Sequence, residues 1–409
     1  MKNIRLLLLI FVVTYFVGCK KSSTTVDETL YNGTVVVYSP ANVAKTVSKR
    51  IFSHVMPWFE SKESNSGQWG QHWKMANKNP DVTDGSGKRQ IASYYYPMIG
   101  PYASGDYDVI EYQLLLMKLS GVDGVMIDWP GKQLLYDYPF SVRNTERMVA
   151  MLEKVGLTFS IVYEDRNLVD AGANKIAVAQ NDMNYLQSNF FGLSYYEKVD
   201  SKPLLLDFGP IQMQTPSDWT SIFSVLSPKP SFFTLWYESG EAGSNASGEY
   251  AWIYSNYLTG LNNFYNNGYT GKKIAAAYPG FKDFYTAGGW GGALGWQIDH
   301  NGTATFNATL DAALASSSNY IQLCTWNDYG EGTMIEPTQE FGYGFLTSLQ
   351  TKLGVSSLSQ TDLETVNNLY TKRKAFKTDT EKQKKLDQVF YYMVSLQMEK
   401  AKKLLNSIT

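Results

Sequence analysis

The chain has 409 residues, 44% of them hydrophobic, and a formal net charge of −2. This composition supplies a large apolar core, and the near-neutral charge gives no electrostatic reason to expect nucleic acid as a partner. Aromatic residues make up 14% of the chain, with 29 Tyr, 20 Phe and 10 Trp. Most of these rings are expected in the core, although exposed rings also pack well on the C–H face of a sugar.

The first residues have the pattern of an export signal. Lys2 and Arg5 precede the apolar run LLLLIFVV, which is too short to span a membrane. The next residues, Phe-Val-Gly-Cys at 16–19, resemble a bacterial lipobox, with Phe16 in place of the usual Leu. We therefore expect a lipoprotein signal peptide over residues 1–19 and lipidation of Cys19. An ordinary secretory peptide cleaved elsewhere is the alternative.

The following residues, 20–46, begin polar and small, which predicts a flexible tether. Together these features predict a protein anchored by lipid in the envelope of a Gram-negative bacterium, in the outer membrane, facing the periplasm or the cell surface. The only other cysteine, Cys324, lies in an apolar run and is expected in the core. No disulfide is then available within the mature chain.

Eight short apolar runs separated by helical patterns predict a (β/α)8 barrel over residues 47–350. Most runs lack strict alternation, as expected for parallel strands buried on both faces. The predicted strands are Arg50–Phe59, Ile91–Met98, Gly124–Trp129, Thr158–Glu164, Pro203–Phe208, Phe232–Glu238, Lys273–Tyr278 and Tyr320–Trp326. The predicted helices are Tyr107–Leu119, Thr145–Val155, Asn174–Phe190, Pro216–Leu226, Tyr250–Tyr265 and Thr305–Ala315.

Two charged, amphipathic, glycine-free segments follow the predicted barrel. They are Gln360–Phe376 and Asp379–Ile408, and apolar spacing of three and four predicts one long helix in the second. We expect residues 351–409 to form a helical extension packed on the barrel.

Polar and aromatic residues follow the predicted strands, where barrels of this class carry their active sites. The set predicts a carbohydrate cleft, although each member has the alternative role of a helix cap or loop contact. The candidates for sugar binding are His54, Trp58, His72, Trp73, Asp128, Trp129, Glu164, Trp236, Tyr237, Tyr278 and Trp296. The chain has no closely spaced histidine pair, nucleophile elbow or phosphate-binding loop, so neither a metal nor a cofactor is expected.

The segment TWNDYGEGTMIEP, residues 325–337, follows the last predicted strand. Asp328 and Glu331 are three apart, and Gly330 between them permits a tight backbone that directs both side chains into one cleft. Glycoside hydrolysis commonly requires one protonated and one ionised carboxyl group, and nearby rings such as Trp326 and Tyr329 would raise one pKa. Spacing alone does not distinguish this pair from carboxylates on any solvated turn.

Several motifs resemble known glycosidases. Residues 326–331, WNDYGE, resemble the signature of glycoside hydrolase family 71, the fungal endo-α-1,3-glucanases, and residues 332–336, GTMIE, resemble family 99, the endo-α-1,2-mannosidases and mannanases. Upstream, IFSH at 51–54 resembles family 71, the His72-Trp73 pair resembles family 99, and GVDGV at 121–125 resembles both. Family 99 has Glu where this chain has Asp328.

The resemblance implies a (β/α)8 barrel without a metal that cleaves an α-linked polysaccharide, α-mannan or α-1,3-glucan, in endo fashion. By analogy, Glu331 is the general acid and Asp328 the base or its helper, while retention or inversion stays open. The resemblance also implies that Trp326 contacts the substrate. Asn327 would orient Glu331 or bind a sugar hydroxyl, and Glu336 would bind the substrate or a structural partner.

A non-catalytic glycan-binding lipoprotein on the same barrel is the competing reading. A binding protein has no need of an acid and a base together, so the pair favours an enzyme. We expect a monomer with a polysaccharide or oligosaccharide as its partner, no nucleic acid, and membrane contact through the lipid alone.

Overall fold

The computed structural model describes residues 30–409, so the predicted signal peptide, Cys19 and residues 20–29 lie outside the described residues. Within this part of the chain, eight parallel strands close into a barrel, each pairing with its neighbours in sequence and the last with the first. The strands are β1 Arg50–Val55, β2 Gly124–Trp129, β3 Thr158–Tyr163, β4 Lys202–Asp207, β5 Ser231–Leu235, β6 Ala246–Tyr250, β7 Lys272–Ala277 and β8 Tyr320–Leu323. The predicted (β/α)8 barrel is confirmed.

The barrel interior is filled by inward-facing side chains from nearly every strand. The interior residues include Phe52, Met126, Val162, Leu204, Leu206, Phe233, Tyr250 and Ile274. Alternate residues point outward and pack beneath the helices, which gives the two-sided burial that the apolar runs predict. A two-residue strand, Lys198–Val199, also pairs antiparallel with β4.

The predicted strand Ile91–Met98 is wrong, and the missing barrel strand is β6. Residues 91–98 lie in the long β1–α2 connection and form only an isolated bridge through Pro97. Their apolar side chains, such as Ile91, pack instead in a separate cluster under this connection. The sequence of β6, ASGEY, lacks the apolar pattern that predicts a strand. Position 248 requires glycine, because a Cβ there would lie 2.3 Å from the Phe233 ring.

Thirteen α-helices are present in residues 30–409. Several begin or end within a few residues of the prediction, but α7 starts well after Tyr250 because that residue belongs to β6. A 3-10 helical segment interrupted at Gly172 lies at 165–174, and short turns of other helix types lie at 187–191, 223–225 and 243–245. The α-helices are α1 Gln71–Lys74, α2 Tyr107–Leu119, α3 Tyr138–Val155, α4 Lys175–Leu186, α5 Pro216–Ile222, α6 Ser239–Ala242, α7 Tyr257–Asn266, α8 Tyr285–Gly288, α9 Ala304–Ala315, α10 Gly344–Leu353, α11 Gln360–Ala375, α12 Thr380–Val394 and α13 Met398–Ser407.

The C-terminal helices pack on the barrel, and the predicted long helix Asp379–Ile408 is divided into α12 and α13. The break lies at Leu396, whose φ of 60° is incompatible with a continuous right-handed helix. Helix α11 is joined to α2 by a buried ion pair, in which Arg373 donates to both carboxylate oxygens of Glu111 at 3.1 and 2.9 Å. Asp387 of α12 accepts from the same guanidinium at 2.6 Å.

Glu111→Gln is expected to lower the free energy of unfolding by about 3 kcal/mol, because it leaves the buried Arg373 charge paired only with Asp387, whose side chain is 47% exposed. Urea unfolding at neutral pH measures this change. Glu381→Gln is the matched control, since that carboxylate is 68% exposed and pairs only with Lys384 on the surface of α12; its effect is expected within about 0.5 kcal/mol. Equal stability of the two variants would contradict the prediction.

The segment 30–46 is extended and bound to the domain, so the prediction of a flexible tether is wrong for these residues. Tyr392 donates to the Leu30 carbonyl at 2.8 Å, and the backbone N–H of Val36 donates to Gln388 at 2.6 Å. Tyr38 stacks on Tyr392 with 5.5 Å between ring centroids. The predicted tether begins with polar residues, but its apolar stretch VVVY includes Val36 and Tyr38, which make these contacts.

No helix in residues 30–409 is long and apolar enough to cross a membrane.

Candidate active site

Four carboxyl groups and an arginine meet at the C-terminal ends of the strands. Asp128 lies at the end of β2, Glu164 directly follows β3, and Asp328 and Glu331 lie in the loop after β8. Asp128 and Glu164 act on each other's pKa values, and the Nε of Arg166 lies 3.4 Å from Glu164 Oε2. The barrel therefore brings together four of the carboxylates that the sequence indicates.

The Asp328–Glu331 loop is a tight, hydrogen-bonded turn. The Asp328 N–H donates to the Thr325 hydroxyl at 2.8 Å, and the Glu331 N–H donates to Asp328 Oδ1 at 3.1 Å. The carbonyl of Glu331 accepts from the Lys282 N–H at 2.8 Å, and that of Gly330 accepts from the Phe284 N–H, also at 2.8 Å. The loop that follows β7 thus braces the turn that carries both carboxyl groups.

Tyr285, the first residue of α8, contacts one member of the pair directly. Its hydroxyl donates to Glu331 Oε1 at 2.7 Å. Reading only the residues next to each strand misses this tyrosine, because it lies eight positions beyond the end of β7. Arg166, two residues after Glu164, is a second residue without a role assigned from sequence, and the structure places it beside Glu164.

Burial raises the pKa of all four carboxyl groups. The pKa of Asp328 lies well above its ordinary value because of burial and then the charge of Glu331. The pKa of Asp128 is likewise raised well above its ordinary value by burial and the charge of Glu164. Burial also raises the pKa of Glu331, but Tyr285 and Arg166 act to lower it. The Asp328/Glu331 pair therefore favours one retained proton, with Asp328 as the better holder.

An aromatic wall borders a cavity beside these carboxylates. Trp58 stacks on His72 with ring centroids 4.3 Å apart and planes 9° apart. His72 Nε2 lies 2.9 Å from Asp137 Oδ2, which fixes the imidazole ring. Burial acts to raise the pKa of Asp137, but the hydrogen bond and charge of His72 outweigh it, so this pKa lies below its ordinary value. The cavity has a volume of about 280 Å³ and reaches Asp128 and Glu164.

Five of the predicted sugar-binding rings lie in the core and offer no surface to a ligand. Each has a relative exposure of 0%, and they are His54, Trp73, Trp129, Tyr278 and Trp326. Trp73 donates its indole N–H to the Tyr102 carbonyl at 2.7 Å, and Trp129 stacks on Tyr185 of α4. Burial lowers the pKa of His54 to about 4, so its ring is neutral. His54, Trp129, Tyr278 and Trp326 lie at or near strand ends and Trp73 lies in α1, but the side chains of all five point into packed layers.

Trp236, Tyr237 and Trp296 lie apart from the carboxylates. Trp236 and Tyr237 stack on each other and pack against Phe264 of α7. Trp296 stacks on Phe281 with ring centroids 4.1 Å apart. The contacts of these three rings are thus with α7 and with the loop that follows β7.

Asn327 and Glu336 anchor the turn that carries Asp328 and Glu331 to neighbouring segments through hydrogen bonds. Asn327 exchanges two hydrogen bonds with the backbone of Met56, at 2.8 and 2.9 Å. Glu336 is 1% exposed and accepts from Tyr102 and Gln113 at 2.8 Å and from Tyr329 at 2.9 Å. Both residues therefore act as internal supports of the loop, and of the two roles considered for Glu336 the contacts match the structural one.

Glu336 is expected to make stability depend on pH. Burial raises its pKa to about 7, although Gln113, Tyr102 and Tyr329 act to lower it. The folded state then holds a proton that the unfolded chain loses near pH 4.5, so the free energy of unfolding falls as pH rises from there to about 7. Relative to Glu336→Gln, the wild type should lose about 3 kcal/mol between pH 4 and pH 8. Chemical unfolding of both proteins across this range measures the difference, and a constant difference would contradict the prediction.

Within residues 30–409, no group of three or more His, Cys, Asp or Glu side chains is arranged to hold a metal ion. The charge of Arg166 acts on the pKa values of Asp128, Glu164 and Glu331. The site is therefore described by carboxyl groups, one guanidinium and a tyrosine hydroxyl.

The fold and site define a (β/α)8 barrel with a carboxylate cleft at the C-terminal ends of its strands. No protein-family model and no curated protein matches the chain. Among solved structures, the family 99 endo-α-mannosidase of Bacteroides thetaiotaomicron is similar, with a TM-score of 0.57 at 18% identity over 83% of this chain and 99% of that one. A glycoside hydrolase-like protein gives a TM-score of 0.56 at 11% identity over 79% and 97%. At these identities the likeness shows a shared fold.

Proposed function

We propose that this protein is an endo-acting glycoside hydrolase that cleaves an α-linked polysaccharide with Asp328 and Glu331. The observation that carries the proposal is the placement of these two carboxyl groups in one braced turn at the C-terminal ends of the strands. Their raised pKa values support retention of a proton for the leaving group. The resemblance of WNDYGE to family 71 and of GTMIE to family 99 supports the same reaction.

In the proposed reaction, the bond between the anomeric carbon and the glycosidic oxygen breaks, and Glu331 transfers its proton to the departing oxygen. Asp328 accepts a proton from the water or sugar hydroxyl whose oxygen forms the new bond to the anomeric carbon. The resemblance supports this division of roles. Burial and then the charge of Glu331 raise the pKa of Asp328, while Tyr285 and Arg166 stabilise ionised Glu331, and these effects favour the exchanged division, in which Asp328 is the acid.

The substrate classes that the resemblance supports are α-mannan and α-1,3-glucan. The similar solved enzyme from Bacteroides thetaiotaomicron is an endo-α-mannosidase, which favours a mannan. Trp58, His72, Asp128 and Glu164 border the cavity and are proposed to contact sugar units next to the scissile bond.

Release of soluble oligosaccharides tests the proposal. The purified protein is incubated with α-mannans of different linkage and with α-1,3-glucan, and products are sized by chromatography. Oligosaccharides of several lengths at early times are expected for an endo enzyme. Binding to one polysaccharide without any release would overturn the enzyme and support the glycan-binding alternative.

We further propose that the protein is lipid-anchored through Cys19 in a Gram-negative envelope. The sequence support is the basic start, the apolar run and the Phe-Val-Gly-Cys motif at residues 16–19. Metabolic labelling with an alkyne fatty acid tests the anchor, and Cys19→Ala is expected to abolish the label and release the protein from membranes.

A further inference from the structure

A glycine-rich loop, residues 286–295, carries Trp290 to the aromatic wall of the cavity. The sequence of the loop is TAGGWGGALG, and Trp290 is 43% exposed. The Trp290 ring meets the His72 ring edge-on, with centroids 5.5 Å apart and planes at 85°. Trp290 and Tyr285 lie in the same excursion of the chain after β7, and the Trp290 N–H donates to the Tyr285 carbonyl at 3.0 Å.

Two glycines dock this loop onto the segment that carries His72. The Gly288 carbonyl accepts from the N–H groups of Ala76 and Asn77 at 2.8 and 2.9 Å. A Cβ at Gly288 would lie 2.1 Å from the Met75 sulfur, and one at Gly289 would lie 2.7 Å from the Asn77 side chain. Gly289 also has a φ of 80°, which disfavours other residues. These contacts between the two segments therefore fix the position of Trp290 relative to His72.

Rings from three separate loops surround the cavity. Trp290 and the Trp58–His72 stack form one part, and Tyr136, which is 71% exposed and lies in the loop after β2, contacts Tyr138 at the start of α3. A group of exposed apolar rings around one cavity is typical of a site that a ligand or partner covers. The polar residues at the same cavity, which supply hydrogen-bonding groups, are Gln71, Asp137, Glu164, Arg166 and Asn167.

This combination matches a pyranose ring, whose faces are apolar and whose edge carries hydroxyl groups. Three carboxyl groups, Asp128, Asp137 and Glu164, border the cavity, and the Arg166 guanidinium there is already paired with Glu164 at 3.4 Å. An anionic sugar would lose its water there without an unpaired cation to compensate its charge. An uncharged sugar has no such penalty and gains hydrogen bonds to the carboxylates.

We propose that Trp290, Tyr136 and the Trp58–His72 stack form a subsite that binds an uncharged pyranose unit of the substrate chain, next to the carboxylate pair. This inference rests on the proposed function and adds the residues and the charge class of the bound sugar. Trp290 contributes binding by contact with the sugar face. Proton transfer belongs to Asp328 and Glu331, where Tyr285 supplies the hydrogen bond.

The test compares Trp290→Ala, Trp290→Phe and the control Leu294→Ala. Leu294 is in the same loop and 54% exposed, but it does not border the cavity. The probe is whichever α-mannan or α-1,3-glucan oligosaccharide the wild type cuts. Trp290→Ala is expected to raise KM about tenfold or more while kcat changes less than about threefold. Trp290→Phe should keep most of the affinity, and Leu294→Ala should match the wild type.

Titration calorimetry in a Glu331→Gln background measures binding without turnover. Trp290→Ala should lose affinity there by the same factor, and the same oligosaccharide oxidised at C6 to a uronate should bind at least about tenfold more weakly than the neutral one. An unchanged KM and affinity in Trp290→Ala would overturn the subsite while leaving the glycosidase in place. A wild type that neither cuts nor binds any member of the panel overturns the proposed function, and the subsite with it.

Discussion

Glu331→Gln is expected to lower kcat for polysaccharide hydrolysis by about 10³-fold, with little change in KM. Glutamine keeps the shape of the side chain and the acceptor for Tyr285, but it cannot give a proton to the departing oxygen. Steady-state release of reducing ends measures both constants. Glu399→Gln is the matched control, because this carboxylate is 84% exposed on α13 and far from the strand ends; its activity should equal that of the wild type.

A substrate with a good leaving group separates the two possible roles of Glu331. An aryl α-glycoside whose phenol is acidic leaves with little proton assistance, so loss of the general acid costs little on it. If Glu331 is the acid, Glu331→Gln should lose less than about tenfold on this substrate while losing about 10³-fold on the polysaccharide. Equal losses on both substrates would contradict the acid assignment and give that role to Asp328.

The barrel could be predicted from sequence because parallel strands buried on both faces leave continuous apolar runs. Seven of the eight barrel strands have this signal, as in GVMIDW at β2. The exception, β6, carries Gly248 because the Phe233 ring occupies the space of a side chain. A glycine that is required by one packing contact inside the barrel does not contribute to a periodic pattern of apolar residues in the sequence. The apolar stretch at 91–98 was mistaken for a strand because a small separate cluster uses the same residue types.

The carboxylates of the site could be predicted, whereas several of the aromatic residues could not. Asp128, Glu164, Asp328 and Glu331 lie at or after the ends of strands, a position that can be read from the sequence once the strands are known. An aromatic ring at a strand end serves equally well as core, as Trp129 and Tyr278 do. The opposite error is the omission of Tyr285 and Trp290 from the candidate residues, because they reach the site from a long loop. Their positions depend on hydrogen bonds to Glu331 and on the docking of Gly288, which are contacts between segments distant in sequence.

Asp328→Asn is expected to lower kcat/KM by about 10³-fold on both the polysaccharide and the activated aryl glycoside, if Asp328 is the base. A good leaving group replaces the need for an acid, but it does not replace the group that removes a proton from the attacking oxygen. The measurement is kcat/KM for each substrate with wild type, Asp328→Asn and Glu331→Gln. Activity of Asp328→Asn that recovers on the aryl glycoside would instead identify Asp328 as the acid.

The pH dependence of Glu331→Gln provides an independent check on that role. A base is active when ionised, so the acid limb of kcat/KM marks the pH at which Asp328 loses its proton. Burial and then the charge of Glu331 raise the pKa of Asp328. If Glu331 is the acid, it still holds its proton at the pH where Asp328 ionises, so neutral glutamine at position 331 is expected to leave the acid limb on the aryl glycoside in place. If Glu331 is ionised there, its charge is the second cause, and an acid limb that moves to lower pH in Glu331→Gln would contradict the acid assignment of Glu331.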